Sequence, residues 1–180
     1  MDSLLQKRRI TSQSDCLFEE IWQIYQASFP PFEQRTLKHQ QTAFHSQNYF
    51  LDAFIENNQL IGFIAYWTFE TYCYVEHFAV DQAFRGRGYG KAILQNLQEI
   101  SSGKLIILEI DPLDDEQSRK RWKFYQNMGF MMNEIDHFLP EYQPGYGNIQ
   151  LHLLTWPSLI HPELYQKFNT HLHKIVMKRE

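Results

Sequence analysis

The sequence predicts an α/β domain in which a mixed sheet is flanked by helices. Three observations lead there. Strand-like runs and helix-like stripes alternate through the second half of the chain, which sets helices against a sheet containing parallel strands. The run Lys104–Asp111 is almost continuously apolar, as a strand covered on both faces is. Three of the 8 glycines fall at alternate positions in Arg85-Gly86-Arg87-Gly88-Tyr89-Gly90, between a strand-like and a helix-like segment.

Taken in order, 8–12 reads as a short first strand. Asp15 is placed to cap a helix in which Phe18, Ile21, Trp22, Tyr25 and Phe29 form one apolar stripe, and Pro30-Pro31 ends it. A second short helix is expected over 37–46. Residues 49–56 and 60–69 read as strands joined at Asn57-Asn58, a pair suited to the positive φ of a tight hairpin. Residues 72–80 form the next strand, followed by a helix to about Ser101, a break at Gly103, and the apolar strand 104–111. The helix carrying Tyr125 is expected to stop at Gly129, a natural position for a left-handed cap. Residues 130–138 and 149–156 read as the last strands, flanking a loop with two prolines and two glycines. From Pro162 on, Leu164, Phe168, Leu172, Ile175 and Val176 line one side of a final helix. That stripe suits docking on its own domain or contact with a second copy in a homodimer. The order is β-α-α-β-β-β-α-β-α-β-β, about seven strands in a single domain over 1–180, with 157–180 as a C-terminal helical extension.

Bulk properties narrow the function. With 180 residues, 43% of them hydrophobic, 16% aromatic and 21% charged, the chain has the composition of a folded domain. A net charge of −4 and the lack of a basic face give no footprint for nucleic acid. Cys16 and Cys73 offer neither a zinc spacing nor a disulfide framework, and the 8 histidines form no ligand cluster, so no metal is expected. No apolar run approaches a membrane span, and the N-terminus lacks the apolar core of a signal peptide. The expected location is the reducing cytoplasm.

The glycine segment carries the chemistry. Glycines before a helix let the backbone come close to a ligand, and the helix N-terminus then aims several N–H groups at one point. Arg85, Arg87 and Lys91 crowd this end, where cations oppose the helix dipole unless an anion is held there. The segment reads as a phosphate cradle. A Walker loop is excluded, because Arg85 and Ala92 occupy its first glycine and its hydroxyl position. A dinucleotide fingerprint fits Gly86 and Gly88 but has Lys91 in place of its third glycine, and the segment lies mid-chain rather than at the start of the fold.

Arg85, Gly88 and Gly90 satisfy the pattern Q/R-x-x-G-x-G/A. Within Tyr74-Val-Glu-His-Phe-Ala-Val-Asp-Gln-Ala-Phe-Arg-Gly-Arg-Gly-Tyr-Gly-Lys-Ala-Ile-Leu94, the segment resembles motif A of the GCN5-related N-acetyltransferase (GNAT) superfamily. Leu105–Asp111, followed by Trp122-Lys-Phe-Tyr-Gln-Asn-Met-Gly-Phe130, is similar to its motif B. The two blocks cover roughly the middle third of the chain. The resemblance implies a GNAT-like, mostly antiparallel sheet whose two central parallel strands splay apart around acetyl-CoA. It places coenzyme A on Phe78, Ala79, Val80, Arg85, Gly86, Arg87, Gly88, Tyr89, Gly90, Lys91 and Ser118. Ser118 stands where many relatives carry asparagine, and Arg121 where they carry a small residue.

Acetyl transfer to a primary amine needs a base, an oxyanion donor and an acid for the departing thiolate. Strand alternation puts Tyr74, Glu76, Phe78 and Val80 on one face and His77 on the other. Glu76 is the expected base, its pKa raised among aromatic walls; its alternative role is to pair with a structural cation. His77 serves as base only if a bulge restores its parity. By the resemblance Tyr125 is the acid, and the oxyanion donor is a backbone N–H near 78–80, where relatives carry a bulge. Glu33, Arg35, Tyr74, Glu109, Tyr142 and Tyr146 are the candidate acceptor-binding residues, and the carboxylates and rings among them suit a cationic amine. A non-catalytic acyl-CoA sensor on the same fold is the competing reading.

Overall fold

The computed structural model describes residues 5–101 and 103–178. Its strands run in the order β1-β2-β3-β4-β5-β8-β6 in one mostly antiparallel sheet, and β7 pairs with β8 alongside. The elements are β1 (Gln6–Ile10), α1 (Phe18–Ser28), α2 (Leu37–Phe44), β2 (Tyr49–Glu56), β3 (Gln59–Thr68), β4 (Tyr72–Val80), α3 (Tyr89–Ile100), β5 (Leu105–Ile110), α4 (Glu116–Asn127), β6 (Met131–Met132), β7 (His137–Leu139), β8 (Ile149–Trp156) and α5 (Pro162–His171). The expected α/β architecture is therefore present, with eight strands rather than seven.

The local signals act much as the residue types dictate. Asn57 and Asn58 both take positive φ, 51° and 61°, and turn β2 into β3. Gly129 has φ 86°, and α4 ends in a double cap: Phe130 N–H donates to the Tyr125 carbonyl and Gly129 N–H to that of Gln126. Asp15 sits two residues ahead of the cap rather than on it. Leu17 is the N-cap of α1, while the Asp15 carboxylate accepts from Leu17 N–H at 3.0 Å and pairs with Arg8 at 2.8 Å.

The eighth strand arises because 130–138 is not continuous. Asn133 is buried and turns its side chain inward, donating to the Leu153 carbonyl and Thr155 Oγ1 and accepting from Ile160 N–H. A side chain that takes over these bonds interrupts the ladder, leaving β6 and β7 as two short pieces along β8.

Two apolar layers cover the sheet. On one face Phe18, Ile21 and Tyr25 of α1 pack with Phe63, Trp67, Tyr72, Tyr74 and Ile107. On the other, Ile93, Leu94 and Leu97 of α3 and Tyr125 of α4 pack with Ile64, Tyr66, Val75, Ile106 and Leu108. The C-terminal stripe joins the first layer: Phe168, Leu172 and Val176 are buried there, against the chain's own sheet. No helix among the described residues is long and apolar enough to cross a membrane.

Candidate active site

β4 and β5 pair in parallel only from Tyr72–Tyr74 to Leu105–Ile107. Beyond that the strands diverge, and a cavity of ≈ 1010 Å³ fills the wedge between Val75–Val80 and Leu108–Asp111. Asp81 N–H donates to Ile61 on β3. By strand alternation, the N–H groups of Val80 and Phe78 point the other way, into the wedge.

A bulge in β4 changes which side chains share that wedge. Opposite Ala65–Tyr66 the register slips between His77 and Val75, so Glu76 is the extra residue. Two neighbours then lie on one face, and the parity of everything before the bulge is reversed. Tyr74, Glu76, His77 and Ala79 meet the α1 layer, whereas Val75, Phe78 and Val80 meet the α3–α4 layer. The face shared by Tyr74, Glu76, Phe78 and Val80 that simple alternation predicts does not form. The bulge also lies before Phe78 rather than within 78–80.

The cradle sits past the end of β4. Gly88 is the N-cap of α3 at φ 85°, and Gly86 lies at φ 76°. An added Cβ at either meets nothing within 4 Å, so backbone conformation rather than space calls for glycine. Gly90 has an ordinary φ, and a Cβ there would make only normal contact with Phe124 and Phe78. Arg85, Gly86, Gly88, Tyr89, Gly90 and Lys91 line the cavity. Arg85 also ties the end of β4 to α1, donating to the Val80 carbonyl at 3.0 Å and to Ser28 Oγ at 3.3 Å. Arg87 lies over the Phe84 ring, outside the lining, and the Tyr89 hydroxyl donates to Glu56.

Four carboxyl groups line the wedge, and their surroundings separate them. The Glu76 side chain is fully buried. Arg35 donates to its Oε1 through Nε at 2.8 Å and approaches through Nη2 at 2.6 Å; Tyr142 Oη and Trp67 Nε1 donate as well, at 3.0 and 2.6 Å. Burial pushes its pKa up, but Arg35, His77 and the Trp67 N–H outweigh that and leave it below the ordinary range. Asp111 pairs with Arg121 at 2.5 Å. Glu109 accepts from Tyr74 Oη at 2.6 Å and from His137 Nε2 at 2.5 Å. Glu33 differs from all three. Burial, together with the charges of Asp111 and Glu109, raises its pKa to about 7 against a smaller opposing effect of Arg121. Its backbone carbonyl accepts from His77 Nε2 at 3.0 Å, which sets it beside the middle of β4. Burial lowers the His77 pKa, and the ring donates from Nε2 there.

Tyr125 completes the wedge. It is 8% exposed and packs edge-on against Phe124 and Phe130, and burial raises its pKa to about 12. Its hydroxyl has no hydrogen-bond partner among the described residues, whose fully buried polar side-chain atoms are all satisfied, so it opens to the cavity.

The family model described as Acetyltransferase (GNAT) family matches residues 18–130. The chain belongs to the GNAT acetyltransferases. It is also similar, at 32% identity and a TM-score of 0.87, to a putative GNAT acetyltransferase from Bacteroides thetaiotaomicron; the match covers 96% of this chain and 98% of that one. The ribosomal-protein-S18-alanine N-acetyltransferase of Escherichia coli shares its fold at 16% identity and a TM-score of 0.64, over 90% and 99% of the two chains. So does an aminoglycoside 6'-N-acetyltransferase complexed with coenzyme A, at 14% identity and 0.63, over 87% and 99%. No curated protein sequence matches the chain. Acetyl transfer from acetyl-CoA is thus the general activity of this GNAT protein.

Several positions of this GNAT site differ from the sequence expectation. Glu76 takes the alternative role named for it, pairing with a structural cation, because Arg35 and two neutral donors occupy its oxygens and its pKa falls instead of rising. Arg35 is correspondingly buried, donates to the Val176 carbonyl at 2.7 Å, and does not reach the cavity. Ser118 is outside the cavity lining: its hydroxyl closes a capping box with Asp115 at the start of α4, and Gln117, Lys120 and Arg121 line the cavity nearby. Arg121 pairs with Asp111 rather than reaching free into the groove. Tyr74 is buried behind Glu109 and Tyr146 lies 53% exposed on Phe32, both outside the cavity lining. Phe78, Ala79, Val80, Glu33, Glu109, Tyr125 and Tyr142 do line it. His137 is the neighbour that sequence reasoning misses; a single histidine after Glu134 and Asp136 carries no signal of its partner Glu109, 28 positions away.

Proposed function

We propose that the chain is an N-acetyltransferase that passes the acetyl group of acetyl-CoA directly to a primary amine within a ternary complex. One observation carries this reading. A single wedge joins a phosphate cradle, an unpartnered phenol and a carboxyl poised near neutral pH. In this account the pyrophosphate lies on the amides of 87–91, and the pantetheine runs along Phe78–Val80, whose free N–H groups also face the thioester oxygen. Glu33 takes the proton of the acceptor ammonium, directly or through a water. The amine nitrogen attacks the thioester carbon, and the C–S bond then breaks. Tyr125 gives its proton to the sulfur, since burial in the same wedge raises the basicity of the thiolate as well, and the second proton that the nitrogen sheds on becoming an amide restores the phenol. A non-catalytic sensor would have no use for a carboxyl tuned to about 7 in the same cavity as a phenol unpartnered among the described residues. The whole chain serves as one domain whose C-terminal extension packs on its own core. The unpaired Cys16 and Cys73 fit a reducing cytoplasm.

The test is the pH dependence of kcat/KM, read as free thiol released from acetyl-CoA. Glu33 must be ionised to act as base, so activity is expected to rise with pH through about 7, and Glu33→Gln should remove that limb. Stability moves the other way. A carboxyl whose folded pKa is raised contributes stability below its unfolded pKa and loses it as pH rises through the folded one. Glu33→Gln should therefore raise Tm at pH above about 7. An unchanged pH limb in the variant would remove Glu33 from the mechanism.

A further inference from the structure

We infer that the acceptor is a compact amine carrying a second ammonium group, which Glu109 holds while the reacting amine faces Glu33. This rests on the acetyltransferase reading above. The first argument is charge. Of the four carboxyl groups on the wall, Glu76 is matched by Arg35 and Asp111 by Arg121. Glu33 and Glu109 have no lysine or arginine partner among the described residues. Glu109 is instead held by His137 and Tyr74. A carboxylate only accepts, so His137 presents Nε2–H to it, and Tyr165 Oη lies 3.0 Å from the opposite nitrogen, Nδ1. Tyr74 Oη holds the other Glu109 oxygen. The carboxylate is fixed in orientation, and its remaining lone pairs are left for a cationic ligand. A singly charged amine would match only one of the two carboxyl groups, and an acceptor bearing its own carboxylate would be repelled by both.

The second argument is space. Residues 140–147 form a strap across the Glu33 end of the wedge. Gln143 Nε2 donates to the Pro31 and Gln34 carbonyls at 3.3 and 2.9 Å. Tyr142 Oη reaches Glu76 at 3.0 Å, and the Tyr146 and Phe32 rings lie 6.2 Å apart. Glu141 stiffens the strap by accepting from the N–H groups of Gly145 and Gly147. A polypeptide N-terminus entering from that side would have to part these contacts, which a short alkyl diamine need not do. The Tyr125 hydroxyl, unpartnered among the described residues, opens into the same wedge.

The experiment measures kcat/KM by thiol release for putrescine, butylamine, γ-aminobutyrate and an alanine-initiated pentapeptide, with acetyl-CoA binding followed calorimetrically in parallel. Putrescine is expected to exceed butylamine by roughly 10- to 100-fold, the worth of one charged hydrogen bond, and the other two to fall below butylamine. Glu109→Gln should bring putrescine down to the butylamine level with acetyl-CoA binding unchanged. If that variant fails to fold, the wild-type enzyme still decides. Tetramethylputrescine, which keeps both charges but has no acylatable nitrogen, should inhibit at least tenfold more tightly than dimethylbutylamine. Butylamine or the pentapeptide matching putrescine would overturn this inference and leave the acetyltransferase standing. Tight acetyl-CoA binding with no turnover of any of the four would overturn both.

Discussion

Removing the charge of Glu76 separates a structural role from a catalytic one. In Glu76→Gln, one oxygen remains to serve donors that now approach two: the Arg35 guanidinium and Tyr142 Oη at Oε1, and Trp67 Nε1 at Oε2. The new amide must turn its own N–H groups toward one of these donors. Arg35, which is 5% exposed, becomes a buried cation without a counter-charge. Breaking such a pair costs about 3–5 kcal/mol. For a chain of this size each kcal/mol lowers Tm by about 2–4 °C, so the expected loss is roughly 6–20 °C. The double replacement Arg35→Met with Glu76→Leu leaves no unpaired charge and should recover most of that loss, so the two sites couple strongly in a double-mutant cycle. Acid titration gives the same sign. The folded pKa lies below the unfolded value of about 4.3, so the pair stabilises fully above that pH and loses its contribution as pH falls through the folded pKa. Glu76→Gln should flatten that acid limb. Thermal melts across pH, with kcat measured well below the transition, make the assay. A variant that melts with the wild type yet loses turnover would refute the structural account and restore Glu76 to the chemistry.

Tyr125→Phe should lower kcat by about 10²-fold or more, the usual worth of a positioned acid, while leaving the acetyl-CoA Kd near its wild-type value. A normal kcat would mean that the thiolate departs without it. Gly88→Ala puts a Cβ on a residue at φ 85° and should cost about 1–2 kcal/mol, read as a lower Tm with weaker acetyl-CoA binding. Gly90→Ala, at ordinary φ and with room for a methyl, should melt close to wild type; equal losses at both positions would sink the conformational argument.

The cradle, the hairpin and the cap at Gly129 were legible in the sequence because each is a local event. Asn57-Asn58, Gly86, Gly88 and Gly129 take the backbone conformations that their residue types favour, within a few residues of the signal. The wedge is not local. Its lining depends on one extra residue in β4, and nothing in Tyr74-Val-Glu-His-Phe marks Glu76 as that residue, since a bulge belongs to a pair of strands and appears only against Ala65–Tyr66. One slipped residue reverses the parity of the strand. It sends Glu76 down to Arg35, a residue 41 positions earlier with no pattern to announce the match. The same slip frees the Val75–Val80 edge from β5 and lets Glu33, on a loop read only as an acceptor wall, come beside His77 and into the cavity. The arrangement explains why the base position moves. A bulged carboxylate at the narrow end of the wedge meets a buried guanidinium and is held below the ordinary range, while the Glu33 carboxyl is desolvated near Asp111 and Glu109, with Arg121 offsetting only part of that, and is pushed to about 7. Where β4 and β5 stop pairing thus decides which glutamate braces the site and which is left able to take a proton.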